Sequence, residues 1–358
     1  MSRARDFADL ASAYSGGALG KRNMIRNGDM AVAQRGTSST STGYKTIDRF
    51  TAGWGTVSIT QTQQSLTTGS PYDLGFRKFY RLTNTSTSSA AGVYIQAGQY
   101  LEAQDIASSG WNFKSSSSFM TVSYWARSSL AGTYYTRINT TDGTVYYRIK
   151  AFTLEANTWT KVSFTFEGNS NLTIDDNANT GLTILTIPHY GTTFTGSNAS
   201  TSAWFTLTSN DYFPDYAQNW GNTSSATFDI TGMQLEVGEM ATPFEHESYG
   251  DNLNRCKRYY IRYSGSGNYA IGAAEDTTRG IFSFPAPDMR AAPTGTQGTL
   301  TLGGGIGSPP AVTAISSTTN SGHGLDVLLT VSSGLTTAHA LRIRATDTAS
   351  YLAFDAEL

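Results

Sequence analysis

The chain has 358 residues, enough for two domains that each bury a core. Charged residues make up 15% of it and the formal net charge is -2, so no electrostatic field exists that would gather nucleic acid or an anionic membrane. A single cysteine, Cys256, excludes an intrachain disulfide framework, and no apolar run approaches the roughly 20 residues of a membrane span or forms a signal-peptide core. We therefore expect a soluble protein, made in the cytosol, that neither binds nucleic acid nor inserts into a membrane.

Residues 1–21 are predicted to form an N-terminal attachment helix. Its apolar residues recur at the spacing i, i+3, i+4 and i+7 and form one stripe: Phe7, Leu10, Ala11 and Tyr14. A helix of about a dozen residues is marginal in isolation, so the stripe needs a partner. It could pack on its own domain, in a bundle of identical helices or in a socket on a larger particle.

Residues 22–247 are predicted to form one large all-β domain, a sandwich or jelly roll. Short strand patterns follow each other at fairly regular spacing, and the Ser/Thr-rich stretches between them predict exposed loops. Asp142-Gly143 stands between two strand patterns and predicts a two-residue hairpin turn. The last strand pattern changes phase at Gly232, which predicts a β-bulge there.

The C-terminal third is predicted to hold a short linker helix over 248–263 and a second β-sandwich over 264–358. Leu253, Cys256 and Tyr260 recur on one helical stripe in the linker. Beyond it, apolar residues alternate with other residues along three further stretches, at 325–331, 341–344 and 352–358. Strict alternation is typical of strands with one buried face.

The sequence carries no catalytic motif. No Gly-x-Ser-x-Gly elbow occurs, and structural or surface roles are expected for all four histidines: His189, His246, His323 and His339. Asp175-Asp176, and Asp211 with Asp215, supply the carboxylate pairs that glycoside hydrolysis needs at a minimum. Residues 175–181 are similar to a calcium loop, but the glycine comes one place late, so a polar turn is expected. We therefore expect no enzymatic activity.

Aromatic residues in or beside polar loops are the other candidate chemistry, because sugars dock on the faces of such rings. Trp204 and Tyr212 are of this kind. Five further residues are predicted to contact carbohydrate: Trp54, Tyr72, Trp111, Tyr134 and Trp220. Each of them alone could instead be a packing residue or a subunit contact. Since the surface is poor in charge, we expect a neutral glycan and an affinity that changes little with salt.

Motifs in three stretches, 22–50, 234–260 and 284–294, together carry a resemblance to a known family. Residues 22–30 contain RNMIRNGDM, followed by AQRG at 33–36, GY at 43–44 and IDRF at 47–50. Residues 234–245 contain QLEVGEMATPFE, and CKRYY follows at 256–260. FP at 284–285 and MRAAPT at 289–294 complete the set. The combination resembles bacteriophage tail-fibre and related fibre-like virion proteins, with Phe50 where tryptophan is usual.

The resemblance implies a virion protein with a jelly roll of the carbohydrate-binding-module kind. It implies a homotrimer that joins other virion proteins through its N-terminus and adheres to a host surface glycan. A structural calcium, common where the first and last strands of such jelly rolls meet, would fall at Asp29 and Glu236. The alternatives are a capsid decoration protein, or head fibre, and a polysaccharide depolymerase, although depolymerase tailspikes usually carry a long β-helix that has no repeat signature here.

Overall fold

The structure, a computed structural model, describes residues 22–304, 309–320 and 324–358. The N-terminal helix predicted around Phe7, Leu10, Ala11 and Tyr14 lies outside these residues, as does His323. The described chain is all-β, as predicted, and falls into two compact units, one ending at Tyr249 and the other spanning Gly250–Glu357. No described helix has the length and apolar character needed to cross a membrane.

Unit 1 is a sandwich of two antiparallel sheets. The first has six strands, which in spatial order are β1 (Ser38–Ser39), β3 (Ile59–Ser65), β4 (Lys78–Asn84), β11 (Thr227–Val237), β6 (Phe119–Ser128) and β9 (Thr160–Glu167). The second has five, which in spatial order are β2 (Thr51–Gly55), β5 (Tyr94–Glu102), β10 (Thr180–Tyr190), β7 (Gly132–Thr140) and β8 (Tyr147–Leu154). Two short helices, α1 (Ser70–Asp73) and α2 (Ala103–Ala107), and a 3-10 turn at Trp220–Asn222 complete the unit.

The core of unit 1 lies between the two sheets. Alternate residues of each strand face it, because successive side chains of a strand point to opposite faces. Val122 and Tyr124 of β6, Ile138 of β7 and Ile184 of β10 are all fully buried there. The apolar alternation that predicted these strands therefore marks the inner faces of the sandwich.

The predicted bulge in the last strand is confirmed. The register of β11 against β6 shifts between Thr231 and Gln234, and Gly232 has a φ of +63°. The predicted hairpin also forms, since β7 pairs with β8. The prediction of a two-residue turn is wrong, because the connection is longer. The connection runs from 141 to 146, and in it the Asp142 carboxylate accepts a hydrogen bond from the Asp175 amide.

The N-terminal segment of unit 1 lies along β11. The amide of Met24 donates to the Leu235 carbonyl at 2.9 Å, and the side chain of Asn23 bonds to the backbone of both Met233 and Leu235. After β11, the Glu245 carboxylate accepts from the Asn23 amide at 2.7 Å. Two of the motifs that carry the family resemblance therefore form one structural joint.

Unit 2 holds the remaining strands in two antiparallel sheets around its own core. The smaller sheet contains, in spatial order, β12 (Tyr260–Ser264), β20 (Tyr351–Asp355) and β15 (Thr294–Gln297). The larger contains, in spatial order, β16 (Leu300–Gly303), β19 (Ala340–Ala345), β13 (Gly267–Ala274), β14 (Arg279–Phe284), β18 (Leu325–Val331) and β17 (Val312–Asn320). Helix α3 covers Tyr249–Lys257. The segment 248–263, predicted as a linker helix throughout, thus holds a helix and most of β12, which pairs with β20.

Candidate functional site

The predicted contact with sugar is wrong for three of the five aromatic residues, because their rings are buried. Trp111, Tyr134 and Trp220 are at most 3% exposed. Trp111 donates its indole N–H to the Ser118 carbonyl at 3.1 Å, which ties the ring to its own loop. Burial raises the pKa of Tyr134 to about 12, and its hydroxyl contacts Ser128. A ring that fills the core has no face to offer a ligand.

The two other predicted sugar contacts are half-buried and lie apart in the fold. Trp54 is opposite Ile95 in the sheet and packs on the main core of unit 1. Tyr72 lies in α1, where the guanidinium of Arg77 covers its ring at 4.1 Å from the centroid. Neither residue lines either of the two cavities described below. Of the remaining loop aromatics, Trp204 is 8% exposed and packs in the core.

The Glu236 carboxylate, predicted to hold a calcium ion, is engaged by several donors. It accepts hydrogen bonds from the Gln234 side-chain amide and from the Thr242 amide and hydroxyl, and it lies 3.6 Å from the Arg22 guanidinium. Calcium would take its oxygen ligands from carboxylates of this kind, and the ion stays a prediction. Asp29 accepts from the Ala31 amide at 3.4 Å. Within the described parts of the chain, no three His, Cys, Asp or Glu residues come together as a metal would require.

The outer face of the five-stranded sheet carries an unusual set of side chains. Leu185 and Ile187 of β10 lie opposite Arg137 and Tyr135 of β7 on this face. They form a second apolar cluster, outside the sandwich, with a group of aromatic residues. An apolar outer face needs a cover, since water on it costs free energy in proportion to its area.

Residues 191–219, which we name the cover loop, lie over part of this face. The loop is fixed to the edge strand β8, where the amides and carbonyls of Tyr147 and Phe205 exchange two hydrogen bonds of 2.7 and 3.0 Å. It is closed on itself where the Tyr212 amide donates to the Phe194 carbonyl at 2.9 Å. Phe213 from the loop is fully buried against Tyr135.

Part of the face stays open between the cover loop and the sheet, and we name this opening the groove. It has a volume of about 260 Å³ and eight lining residues: Tyr94, Gln96, Arg137, Asn139, Tyr147, Tyr190, Phe194 and Tyr212. The rings hold one another edge to face, with centroids 5.7 Å apart for Tyr147 and Tyr212 and 6.0 Å apart for Tyr94 and Tyr190. Aromatic walls with a few polar groups between them are typical of small-molecule and sugar sites.

The polar groups of the groove are held in place by the sheet. Asn139 accepts from the Thr183 hydroxyl at 2.5 Å, and Gln96 accepts from the Tyr190 hydroxyl at 2.5 Å. The guanidinium carbon of Arg137 lies 5.3 Å from the Tyr212 centroid and 5.8 Å from that of Tyr147. Burial raises the pKa of Tyr190 and Tyr147, so both phenols are neutral at pH 7.

A second cavity of about 320 Å³ is lined by residues at the start and at the end of the cover loop. Tyr190 lines both this cavity and the groove. The second cavity is also lined by His189, Asp215, Tyr216 and Gln218. Three buried polar atoms on these residues have no hydrogen-bond partner, namely His189 Nδ1, the Tyr216 hydroxyl and Gln218 Oε1. Asp215 itself accepts from the Thr195 hydroxyl at 2.5 Å.

The acidic residues considered for catalysis are engaged locally and do not line the groove. Asp211 accepts from the Asn198 side chain at 2.8 Å inside the cover loop. The Asp175 amide donates to Asp142, and the Asp175 carboxylate faces the Asn177 side chain at 3.4 Å. Among the described residues, none that lines the groove is Asp or Glu.

Comparison with other proteins finds similar solved structures only at low identity and low TM-score. No protein-family model and no curated protein matches it. Similar solved structures include the enzymatically active domain of tailspike protein 4 of bacteriophage CBA120, at 10% identity and a TM-score of 0.34, over 61% of this chain and 22% of that one. Another is a putative sugar binding protein from Bacteroides thetaiotaomicron, at 11% identity and a TM-score of 0.31, over 60% of this chain and 100% of that one.

A third similar structure is the N-terminal cellulose-binding domain of a Cellulomonas fimi β-1,4-glucanase, at 10% identity and a TM-score of 0.29. It is covered over 99% of its length and aligns with 59% of this chain. TM-scores this low support no conclusion about a ligand.

Sequence reasoning named Tyr212 among the loop aromatics, and the structure places it in the groove. It missed Tyr94, Tyr147 and Tyr190, which alternate with core residues along their strands. The sequence did contain an indication of this site, namely tyrosines at strand positions that face away from the core, where polar residues are the norm. Aromatic rings at such positions in two neighbouring strands indicate a face that binds something.

Proposed function

We propose that this chain is a fibre-like virion protein of a bacteriophage, and that its first unit binds a host surface polysaccharide. The observation that carries the binding role is the groove, in which tyrosine and phenylalanine rings stand beside guanidinium and amide donors on a fixed sheet. Such a surface suits a sugar, whose C–H face packs on rings while its hydroxyls take hydrogen bonds. The virion role is supported by the motif resemblance at 22–50, 234–260 and 284–294.

The proposal includes a homotrimer that joins other virion proteins through the stripe Phe7, Leu10, Ala11 and Tyr14. One groove would bind weakly, and three copies on one particle would raise the apparent affinity by effective concentration alone. Immuno-electron microscopy of the phage gives the location. Label on the tail supports a receptor-binding fibre, whereas label over the shell would move the protein to the capsid decoration class.

We further propose that the groove binds without cleaving. Glycoside hydrolysis needs two carboxylates on either side of the scissile bond, and the described lining of the groove supplies none. Incubation with a polysaccharide that binds should release no new reducing ends. Release that disappears when Asp175 or Asp211 is changed to Asn would make the protein a depolymerase.

The binding role is tested with Tyr212→Ala and Tyr147→Ala in the full chain. Each removes one wall of the groove, and a stacked ring contributes on the order of 1 kcal/mol, so each should weaken binding about fivefold. The measurement is titration calorimetry with polysaccharides first selected on an array of bacterial surface glycans. Tyr72→Ala is the matched control, because it removes an equally half-buried tyrosine outside the groove.

The expected pattern is a loss in both groove variants with no loss in Tyr72→Ala. Circular dichroism checks that all three variants keep their β structure. If the array shows no bound glycan, or if all three variants lose binding equally, the groove is not a sugar site.

A further inference from the structure

Arg137 occupies a position that arginine rarely holds without a counter-ion. It lies on β7 in the five-stranded sheet, is 9% exposed, and its guanidinium lies beside the rings of Tyr147 and Tyr212, at 5.8 and 5.3 Å from their centroids. Removing a charge from water costs several kcal/mol unless other groups compensate for the lost hydration. The two rings supply part of this compensation as cation–π contacts.

Several other buried or half-buried arginines of unit 1 have a carboxylate. Arg81 and Arg127 both contact Asp229, at 2.7 Å each. Arg148, on the neighbouring strand and also 9% exposed, lies 3.5 Å from Glu167. Arg137 makes no ion pair with any described residue. Its charge is therefore the unmatched one in the groove.

The donors of Arg137 are almost unused as well. A guanidinium has five N–H donors, and this one makes a single hydrogen bond to the described protein, from Nη1 to the Tyr190 hydroxyl at 3.4 Å. That distance is beyond the usual range for a good bond. Its Nε is buried and has no partner. Since the Tyr190 phenol is neutral at pH 7, it does not act as a counter-ion.

We propose that the groove takes an acidic sugar, whose carboxylate pairs with Arg137 while its ring packs against Tyr147 and Tyr212. The inference rests on the proposed glycan-binding function and names the class of glycan. A planar guanidinium matches a carboxylate in both geometry and charge, and the low-dielectric setting beside the rings strengthens the pair. The neutral glycan and the weak salt dependence expected from composition are thereby replaced by an anionic ligand.

The first experiment compares matched polymers that differ only in the carboxylate. Polygalacturonate, alginate and hyaluronan oligosaccharides are titrated into the full chain beside their carboxyl-reduced forms. We expect at least one acid form to bind about tenfold more tightly than its reduced form. We also expect this advantage to shrink when sodium chloride rises from about 0.05 to about 0.5 M, because salt screens the pair.

A further arm identifies the source of the negative charge. Dextran sulfate is compared with dextran, because a sulfate ester would also meet a cation. Binding of the sulfated polymer alone would overturn the carboxylate assignment.

The second experiment removes the cation. Arg137→Gln should abolish the preference for the acid form and leave binding of the reduced form within about twofold. It should also fold, since it deletes an unpaired buried charge rather than one half of an ion pair. Arg137→Lys keeps the charge but loses the planar fork, so it should retain part of the preference. Lys150→Gln on β8 is the matched control, because it removes one exposed positive charge outside the groove.

The outcomes separate this inference from the function on which it rests. Equal binding of acid and reduced forms, with losses in Tyr147→Ala and Tyr212→Ala, would leave a sugar groove and overturn the acidic ligand. An acid preference that Lys150→Gln lowers as much as Arg137→Gln would make it an effect of net charge. Failure of every polymer and of the glycan array would overturn both proposals.

Discussion

At the scale of single residues, the second cavity is lined by a histidine that is largely buried. His189 is 9% exposed, its ring lies 5.4 Å from that of Tyr216, and its Nδ1 has no partner. Burial disfavours the charged imidazolium and lowers the pKa of His189 to about 4. The residue is therefore neutral in the folded protein across the range in which an exposed histidine becomes charged.

This difference predicts a loss of stability in mild acid. In the unfolded chain His189 has a pKa near 6.5, so it is protonated below that pH, whereas in the folded chain it is protonated only near pH 4. The free energy of unfolding therefore falls as the pH drops from about 6.5 to about 4. The loss should approach about 2 kcal/mol at pH 5 and about 3 kcal/mol below pH 4. Urea unfolding followed by tryptophan fluorescence measures it in unit 1, because all six tryptophans lie between 54 and 220.

The variant that isolates the effect is His189→Gln, which should lose less stability than the wild type between pH 7 and pH 5. His246→Gln, at an exposed position in the same unit, should behave like the wild type. If both variants keep the full pH dependence of the wild type, the carboxylates rather than His189 are responsible for it.

The aromatic residues mark the limit of sequence prediction at this scale. Tryptophans in Ser- and Asn-rich loops were predicted to be exposed, yet Trp111 and Trp220 turn inward. Their polar neighbours determine that the loop backbone is hydrated and say nothing about which way one ring faces. Tyr190, in contrast, lies in a strand of mostly apolar residues, and the sequence does not distinguish it from a core residue. Only the strand pairing decides which alternate face is covered.

At the scale of elements, β11 organises unit 1. It is paired to β4 on one side and to β6 on the other, and the N-terminal segment lies along its second half. Its bend was predictable because a phase change at a glycine in an apolar strand is typical of a bulge. The hairpin turn at Asp142 was not, because the amide that holds the aspartate comes from Asp175, more than thirty residues away.

The bulge gives a test of this element. A Cβ at residue 232 would stand 2.6 Å from the Phe76 ring, on a backbone whose positive φ disfavours every residue with a side chain. Gly232→Ala should therefore destabilise unit 1 by about 3 kcal/mol, from backbone strain and overpacking together. Gly238→Ala, at a φ of +135° with nothing within 4 Å of its Cβ, should lose only the backbone share, about 1–2 kcal/mol.

Urea unfolding followed by tryptophan fluorescence compares the two variants under the same conditions. Equal losses would mean that Phe76 moves aside freely and that the bulge is not fixed by packing. The ring of Phe76 is itself held by Phe244, at 4.9 Å between centroids, so a shift should also disturb the segment after β11.

At the scale of the whole molecule, the chain divides into two units with separate cores. The first core is built from residues between 25 and 235, and the second from residues between 261 and 356. The sequence predicted two β domains because two sets of strand patterns are separated by a helical stripe. The trimer, the virion partners and the N-terminal stripe stay predictions, since nothing in the described residues bears on them.

Because each core is closed within its own unit, we expect two fragments, 1–248 and 249–358, to fold separately. The cut precedes α3 and leaves every described strand intact. Each fragment should show its own cooperative thermal transition, and the transition of the first should coincide with the tryptophan-detected one of the full chain. Fragment 1–248 should bind the glycans of the groove within about twofold of the full chain, while 249–358 should not bind them. Calorimetry measures the thermal transitions, and the same titrations measure the glycan affinities. A first fragment that folds but no longer binds the glycan would mean that unit 2 is needed for binding.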